Sequence, residues 1–299
     1  MRWRRDVPLA GHTRYGIGGP TSRLGVAVSE PELREALAGL EGRAYRVLGG
    51  GANVLVADEG VREPVLILGA EFEYLRVGGA ALEVGAATKL PALVGEARRL
   101  GRRGWAFLEA VPGSVGGGLR MNAGSREEWL WDRVQWAEAM TPDGEVRRIR
   151  PEEANAGYRQ VGLPAEWIFI RTALEAPEGD PREVRRAHLR FREQKVSAQV
   201  YDLPSVGSTW KNPGAPFGSA WEVVERVGMR GARRGGAQIS EKHANFIVNH
   251  GEARAEDVLE LMIETRRRAV EQLGVRLEPE IVLWGFAPER VRAVGGTER

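Results

Sequence analysis

Cysteine is absent from the 299 residues, and lysine occurs only four times, at Lys89, Lys195, Lys211 and Lys242. The first absence excludes disulfides, thiolate nucleophiles and cysteine-ligated zinc or iron–sulfur centres, and it is compatible with a reducing compartment. No apolar run approaches the roughly 20 residues needed to span a bilayer. The opening stretch MRWRRDVPLAGHTRYG has basic residues but no apolar segment behind them, so it does not read as a secretory leader. These features lead to the expectation of a cytoplasmic protein with no membrane partner. Asparagine and glutamine are also scarce, six of each, while 39 of the 43 basic residues are arginine. A thermophile's avoidance of labile residues and a GC-rich genome both produce that bias.

Charged residues make up 28% and hydrophobic residues 42% of the chain, as in a globular protein with a full core. Net charge is only +2. The arginines alternate with acids in helical stretches such as REEWLWDR and PREVRRAHLRFRE, which read as solvated faces with i,i+4 partners. A nucleic-acid footprint would be a one-sided basic cluster, and none is visible.

Short apolar runs (YRVLGG, NVLVAD, PVLIL) with one helix after Ser29 organise residues 1–70 as a small α/β lobe. Residues 71–180 read as a second α+β lobe, with a helix over 90–100 and a glycine cluster at 113–118. A charged helix over 182–195 acts as a connector to a third region, 196–285. There, helices are predicted over 220–227 and 256–273 and strands at HANFIVN and VRLEPEIVLWG. Val258, Leu261, Met262, Thr265 and Ala269 fall at helical spacing and form one apolar stripe. The tail, 286–299, is expected against the second lobe.

Glycine concentrates in LGGGANVLVAD (48–58) and VPGSVGGGLRMNAGS (111–125). Glycine lets a ligand approach backbone N–H groups closely, which is how such loops bind phosphate. Neither loop is a G-x-G-x-x-G fingerprint, and no G-x-x-x-x-G-K-[ST] loop exists. Two loops of this kind suit a long ligand with a diphosphate in its middle, bound by a fold other than Rossmann. The four histidines show no metal-ligand spacing, so no metal is expected.

These loops also carry a resemblance. GHTRYGIGGP (11–20), LGGGANVLVAD, VPGSVGGGLRMNAG, GYR (157–159), VGSTWKNP (206–213), GGAQISEKHANFIVN (235–249) and LEPEI (277–281) occur in the order seen in the UDP-N-acetylenolpyruvoylglucosamine reductases. The chain is similar to that family from about residue 8 to residue 285. The resemblance implies an α+β protein: a two-lobed FAD-binding portion of the vanillyl-alcohol-oxidase type, followed by a C-terminal α+β substrate-binding domain. Noncovalent FAD is implied, held by Gly49, Gly50, Gly51, Ala52, Asn53, Pro112, Gly113, Ser114, Gly116, Gly117, Asn122 and Gly124. NADPH as hydride donor, a nucleotide-sugar substrate and action as a monomer are further expectations.

The family reduces an enolpyruvyl ether to a lactyl ether, UDP-N-acetylmuramate, in peptidoglycan precursor synthesis. Hydride addition to the β-carbon leaves an enolate-like species that needs a cation on its carboxylate and an acid at its α-carbon. By motif match Arg159 is the carboxylate clamp, Ser208 the proton donor and Glu280 the residue that helps deliver or orient that proton. In the same loop as Ser208, Lys211 and Asn212 are candidates for contacts to the substrate's diphosphate or sugar.

Four departures from the family pattern stand out. Gln160 and Val161 follow GYR, where a serine two positions after the arginine is usual. Arg120 occupies a place that often holds an apolar or aromatic residue, and REEW replaces the usual continuation after NAGS. Between Phe169 and the connector helix there is no room for the tyrosine-bearing insertion of one branch, so the chain resembles the shorter branch. The competing readings are another flavin oxidoreductase on the same scaffold, and an arginine-rich nucleic-acid-binding protein. The first has no need of a proton donor such as Ser208 with Glu280, and the second leaves the glycine loops unexplained.

Overall fold

The structure, a computed structural model, describes residues 1–125 and 128–297. It divides into two compact units that are not consecutive along the chain. The first comprises Met1–Arg5, Arg23–Gly50 and Glu63–Ser197; the second comprises Asp6–Ser22, Gly51–Arg62 and the chain from Ala198 onward.

Two sheets lie wholly or mostly in the first unit. A four-stranded sheet runs in the order Trp3–Pro8, Pro20–Ala27, Val65–Leu68, Arg46–Val47, with parallel pairing on both sides of Val65–Leu68. Helix α1 (Glu30–Ala38) begins at Ser29, whose hydroxyl accepts from the Glu32 amide, and Glu30 and Glu32 favour the same end of the helix. It buries Leu33, Ala36 and Leu37 with Leu66, Ile168 and Ile170. The second sheet, five-stranded, runs Val146–Ile149, Val134–Met140, Ile168–Glu175, Ala81–Gly85, Leu75–Gly78 and is antiparallel throughout. Helix α2 (Leu90–Arg99) and the one-and-a-half-turn helix α3 (Val115–Arg120) pack with this sheet around Trp105, Phe107 and Leu119.

Helix α4 (Pro181–Ala198) is the expected connector, and its residues through Ser197 belong to the first unit. Its buried His188 meets Glu109 at 2.8 Å, and Lys195 donates to the Phe107 carbonyl. Among the described residues its arginines form no ion pairs; the expected i,i+4 pairing appears instead in a later helix.

In the second unit, α5 (Ala220–Arg226) and α6 (Ala255–Leu273) pack against a three-stranded antiparallel sheet of Arg233–Arg234, Ala237–Ile239 and Ile247–Asn249. The stripe Val258, Leu261, Met262, Thr265 and Ala269 is buried as its spacing predicts. Asp58 accepts from the Ala255 and Glu256 amides and so caps the first turn of α6. Arg268 pairs with Glu264 at i,i+4 on its outer face.

Two boundaries differ from the sequence expectation. Residues 51–62 join the second unit because Val54–Val56 pairs in parallel with Val282–Trp284, and Tyr15 and Ile17 bury their side chains in that unit's core. Long-range pairing of this kind leaves no local signature. The tail, expected on the second lobe, instead forms α7 (Pro288–Ala293) on the second unit: Val294 is fully buried in that core and Arg290 pairs with Glu256. Among the described residues no helix is long and apolar enough to cross a membrane.

Candidate active site

The second unit brings three separate sequence motifs to one place. The extended segment around Ser208 lies between residues 245–246 and 278–280. Ser208 bridges to Phe246, the Thr209 amide donates to the Asn245 carbonyl at 2.8 Å, and Trp210 bridges to Pro279. On the other edge the Glu280 amide donates to the Thr209 carbonyl at 2.8 Å. Ser208 and Glu280, 72 positions apart in sequence, are thus held through neighbouring residues of directly paired segments. Both are half-buried.

Asn245 supports this pairing and went unassigned in the sequence, although HANF was visible as a motif. Its side-chain oxygen accepts from the Trp210 amide and its nitrogen donates to the Trp210 carbonyl, each at 2.9 Å. A buried amide that matches both ends of one peptide residue fixes that residue's plane. Trp210, 2% exposed, anchors the segment in the core.

Asn53 ties the glycine loop to the same point. Its side chain donates to the Glu280 carbonyl at 3.0 Å, and its own carbonyl accepts from the Val282 amide at 3.0 Å. Lys211 pairs with Glu278 at 3.3 Å. Asn212 accepts from the Ala220 amide at 3.0 Å and so helps cap α5.

In the first unit, Arg159 occupies a tight turn closed by reciprocal hydrogen bonds between Gly157 and Gln160. Its φ is +57°, a left-handed conformation uncommon for a residue with a Cβ. The guanidinium donates to the Gly124 carbonyl at 3.1 Å and lies 5.5 Å from the Trp129 ring centre. Asn122 joins in: it donates to the Gly157 carbonyl at 3.0 Å and accepts from the Trp131 amide. Asn122 and Gly124, matched to cofactor positions, therefore also brace the Arg159 turn. Of the divergent REEW stretch, Arg126 and Glu127 lie outside the described residues.

The two glycine clusters meet. A Cβ on Gly49 would come within 2.5 Å of the Ser114 hydroxyl, and one on Gly50 within 2.7 Å of the Gly113 Cα. The amides of Gly49, Gly50, Gly113 and Ser114 form no hydrogen bond among the described residues. In contrast, the Gly116 amide donates to Ala86 and the Gly117 amide to the Ser114 hydroxyl, so those two glycines serve packing and capping. Gly51 has φ +59°, and a Cβ there would meet the His12 carbonyl at 2.1 Å. Ala52 and Pro112, both half-buried, complete the two loops. A cradle lined largely by glycine, with N–H groups that no described residue engages, suits a diphosphate. The residues present therefore fit a flavin dinucleotide.

The histidines have other partners: His188 meets Glu109, His250 meets Gln238, and His243 packs edge-on to Phe246. A cavity of about 490 Å³ lined by Tyr74, Arg76, Glu83 and Arg171 contains none of the candidate residues.

Comparison with known proteins identifies the family of the chain. Residues 26–150 match the model of an FAD binding domain, and residues 199–284 match that of the UDP-N-acetylenolpyruvoylglucosamine reductase C-terminal domain. UDP-N-acetylenolpyruvoylglucosamine reductase 2 of Symbiobacterium thermophilum is 40% identical over 96% of this chain and 94% of its own length. The chain belongs to the UDP-N-acetylenolpyruvoylglucosamine reductase family. The family's enzyme from Heliobacterium modesticaldum is 36% identical over 99% of this chain and 95% of its own. The crystal structure of the Thermus caldophilus reductase superposes with a TM-score of 0.83 at 39% identity, covering 95% of this chain and 99% of that one. As a member of this family the chain is an FAD-dependent oxidoreductase, and its fold is the expected α+β combination of an FAD-binding portion and a C-terminal domain.

Proposed function

We propose that the enzyme reduces the enolpyruvyl ether of its nucleotide-sugar substrate with NADPH as hydride source, yielding UDP-N-acetylmuramate for peptidoglycan precursor synthesis in the cytoplasm. FAD, when bound in the glycine cradle, would supply the hydride-transfer chemistry between NADPH and the enol. The chain's own residues manage the charge and the proton that remain.

Ser208 donates its hydroxyl proton to the α-carbon. A hydroxyl is a weak acid, but an enolate-like carbanion is a strong enough base to take its proton. Glu280 assists by orienting that hydroxyl or relaying the proton. The observation that carries this reading is the hydrogen bond from the Glu280 amide to the Thr209 carbonyl, which keeps the carboxyl-bearing residue beside the residue following Ser208.

Arg159 clamps the substrate carboxylate, its planar fork making paired charge-assisted hydrogen bonds that strengthen as charge develops. Its positive φ supports the assignment, since strained backbone is kept where function needs it. Lys211 serves the diphosphate by exchanging Glu278 for phosphate oxygens, and Asn212 orders the loop that presents it. The glycine cradle takes the flavin diphosphate through Gly49, Gly50, Gly113 and Ser114.

The test is an anaerobic visible spectrum of the flavin-loaded protein. NADPH should bleach the flavin band, and the enolpyruvyl nucleotide sugar should restore it without oxygen. Bleaching without recovery would leave an NADPH-reducible flavoprotein and reject the substrate.

A further inference from the structure

Arg120, the last residue of α3, is one of the positions where this chain departs from the expected pattern, and its side chain has an unusual target. One guanidinium nitrogen donates to the Leu163 carbonyl at 3.2 Å and another to the Trp167 carbonyl at 2.5 Å. The group also lies 5.1 Å above the Phe169 ring. Both carbonyls belong to the loop that leaves the Arg159 turn. The start of that turn is tied at Gly157 by Asn122, two residues after Arg120.

We infer that Arg120 is a positioning residue for Arg159, holding the downstream flank of its turn where the serine usual after GYR is missing. A left-handed φ at a residue with a Cβ is strained and persists only when surrounding structure over-determines it. Among the described residues, backbone bonds close the turn at the Gly157–Gln160 pair and at its base, where the Gly162 amide donates to the Ala154 carbonyl at 2.8 Å. Side-chain ties from elsewhere in the fold add to them. Residues 120–124 provide them on both flanks: Arg120 to Leu163 and Trp167, Asn122 to Gly157, and the Gly124 carbonyl to Arg159 itself. Tyr45 adds a bond to the neighbouring Glu166 carbonyl. Arginine is required at position 120, because a planar fork can engage two carbonyls four residues apart and a lysine ammonium offers no such fixed geometry. The inference rests on the reading of Arg159 as the carboxylate clamp.

The experiment is a double-mutant cycle on the flavin-loaded enzyme, using Arg120→Ala, Arg120→Lys, Arg159→Lys and the double variant Arg120→Ala/Arg159→Lys. Anaerobic rapid mixing reads flavin reduction by NADPH and flavin reoxidation by the enolpyruvyl nucleotide sugar separately. Arg120→Ala should slow reoxidation about ten- to hundredfold, the scale of a misplaced substrate-orienting group, with flavin reduction unchanged. Arg120→Lys should not rescue it. In the Arg159→Lys background, Arg120→Ala should add little further loss. Equal slowing of both half-reactions, full rescue by lysine, or additive losses would overturn the positioning role while leaving the clamp intact. Normal reoxidation by Arg159→Lys alone would instead reject the clamp, and the inference with it. Arg120→Lys, which keeps the charge and the aliphatic stem, carries the test if the alanine variant does not fold.

Discussion

The side-chain amide of Asn53 donates to the backbone carbonyl of Glu280 at 3.0 Å, across 227 positions of sequence. A residue matched to cofactor binding thus holds the segment that presents the candidate acid. Losing a hydrogen bond to a partly buried carbonyl costs about 1–3 kcal/mol. Asn53→Ala should therefore lower the melting temperature of the flavin-free protein by several degrees, as scanning calorimetry would read. A residue that only touched the flavin would leave the flavin-free protein's melting point where it was.

Ser208→Ala removes the candidate donor and little else, because the segment is held by backbone bonds at Thr209 and Trp210 and by the Asn245 side chain. Flavin content and reduction by NADPH should stay near wild type while reoxidation by the substrate slows about 10²- to 10⁴-fold, the usual contribution of a general acid. Collapse of the NADPH step would remove the proton-donor role.

Gly50→Ala places a methyl group 2.7 Å from the Gly113 Cα, where backbone faces backbone and no side chain can swing away. Forcing the two loops apart should destabilise by about 1–3 kcal/mol and disrupt the cradle. The purified variant should carry little flavin by absorbance at its visible band. Full retention of flavin at normal stability would show that the close approach of the loops is dispensable.

A pH effect should arise at Glu109, buried beside the second glycine loop. Burial pushes its carboxyl up, but the His188 hydrogen bond and the charges of His188, Arg98 and Arg192 outweigh this and hold it below its ordinary value. A carboxyl whose folded pKa is depressed stabilises above its unfolded pKa, near 4.3, and that contribution is lost as pH falls through the lower folded value. Glu109→Gln should cost about 1–3 kcal/mol at pH 7, and the gap to wild type should narrow below about pH 4. Denaturant midpoints at the two pH values measure it. A gap independent of pH would assign the loss to packing rather than to charge.

Local chemistry was legible in the sequence wherever a short stretch sufficed. Ser29 with Glu30 and Glu32 announced α1, and the stripe from Val258 to Ala269 announced the buried face of α6, because a cap and a 3.6-residue period are properties of neighbouring residues. The glycine runs and the ordered motifs likewise marked both loops, the GYR turn and the Ser208 and Glu280 segments. What the sequence could not reveal were the pairings between distant segments. The union of Val54–Val56 with Val282–Trp284 redrew the domain boundaries, and the burial of Val294 placed the tail on the second unit. The support roles of Asn245, Asn53 and Arg120 belong to the same class. Each depends on which backbone amide or carbonyl a side chain meets across the fold, and those groups are identical at nearly every residue, so no residue type encodes the choice. Only the tertiary structure decides it.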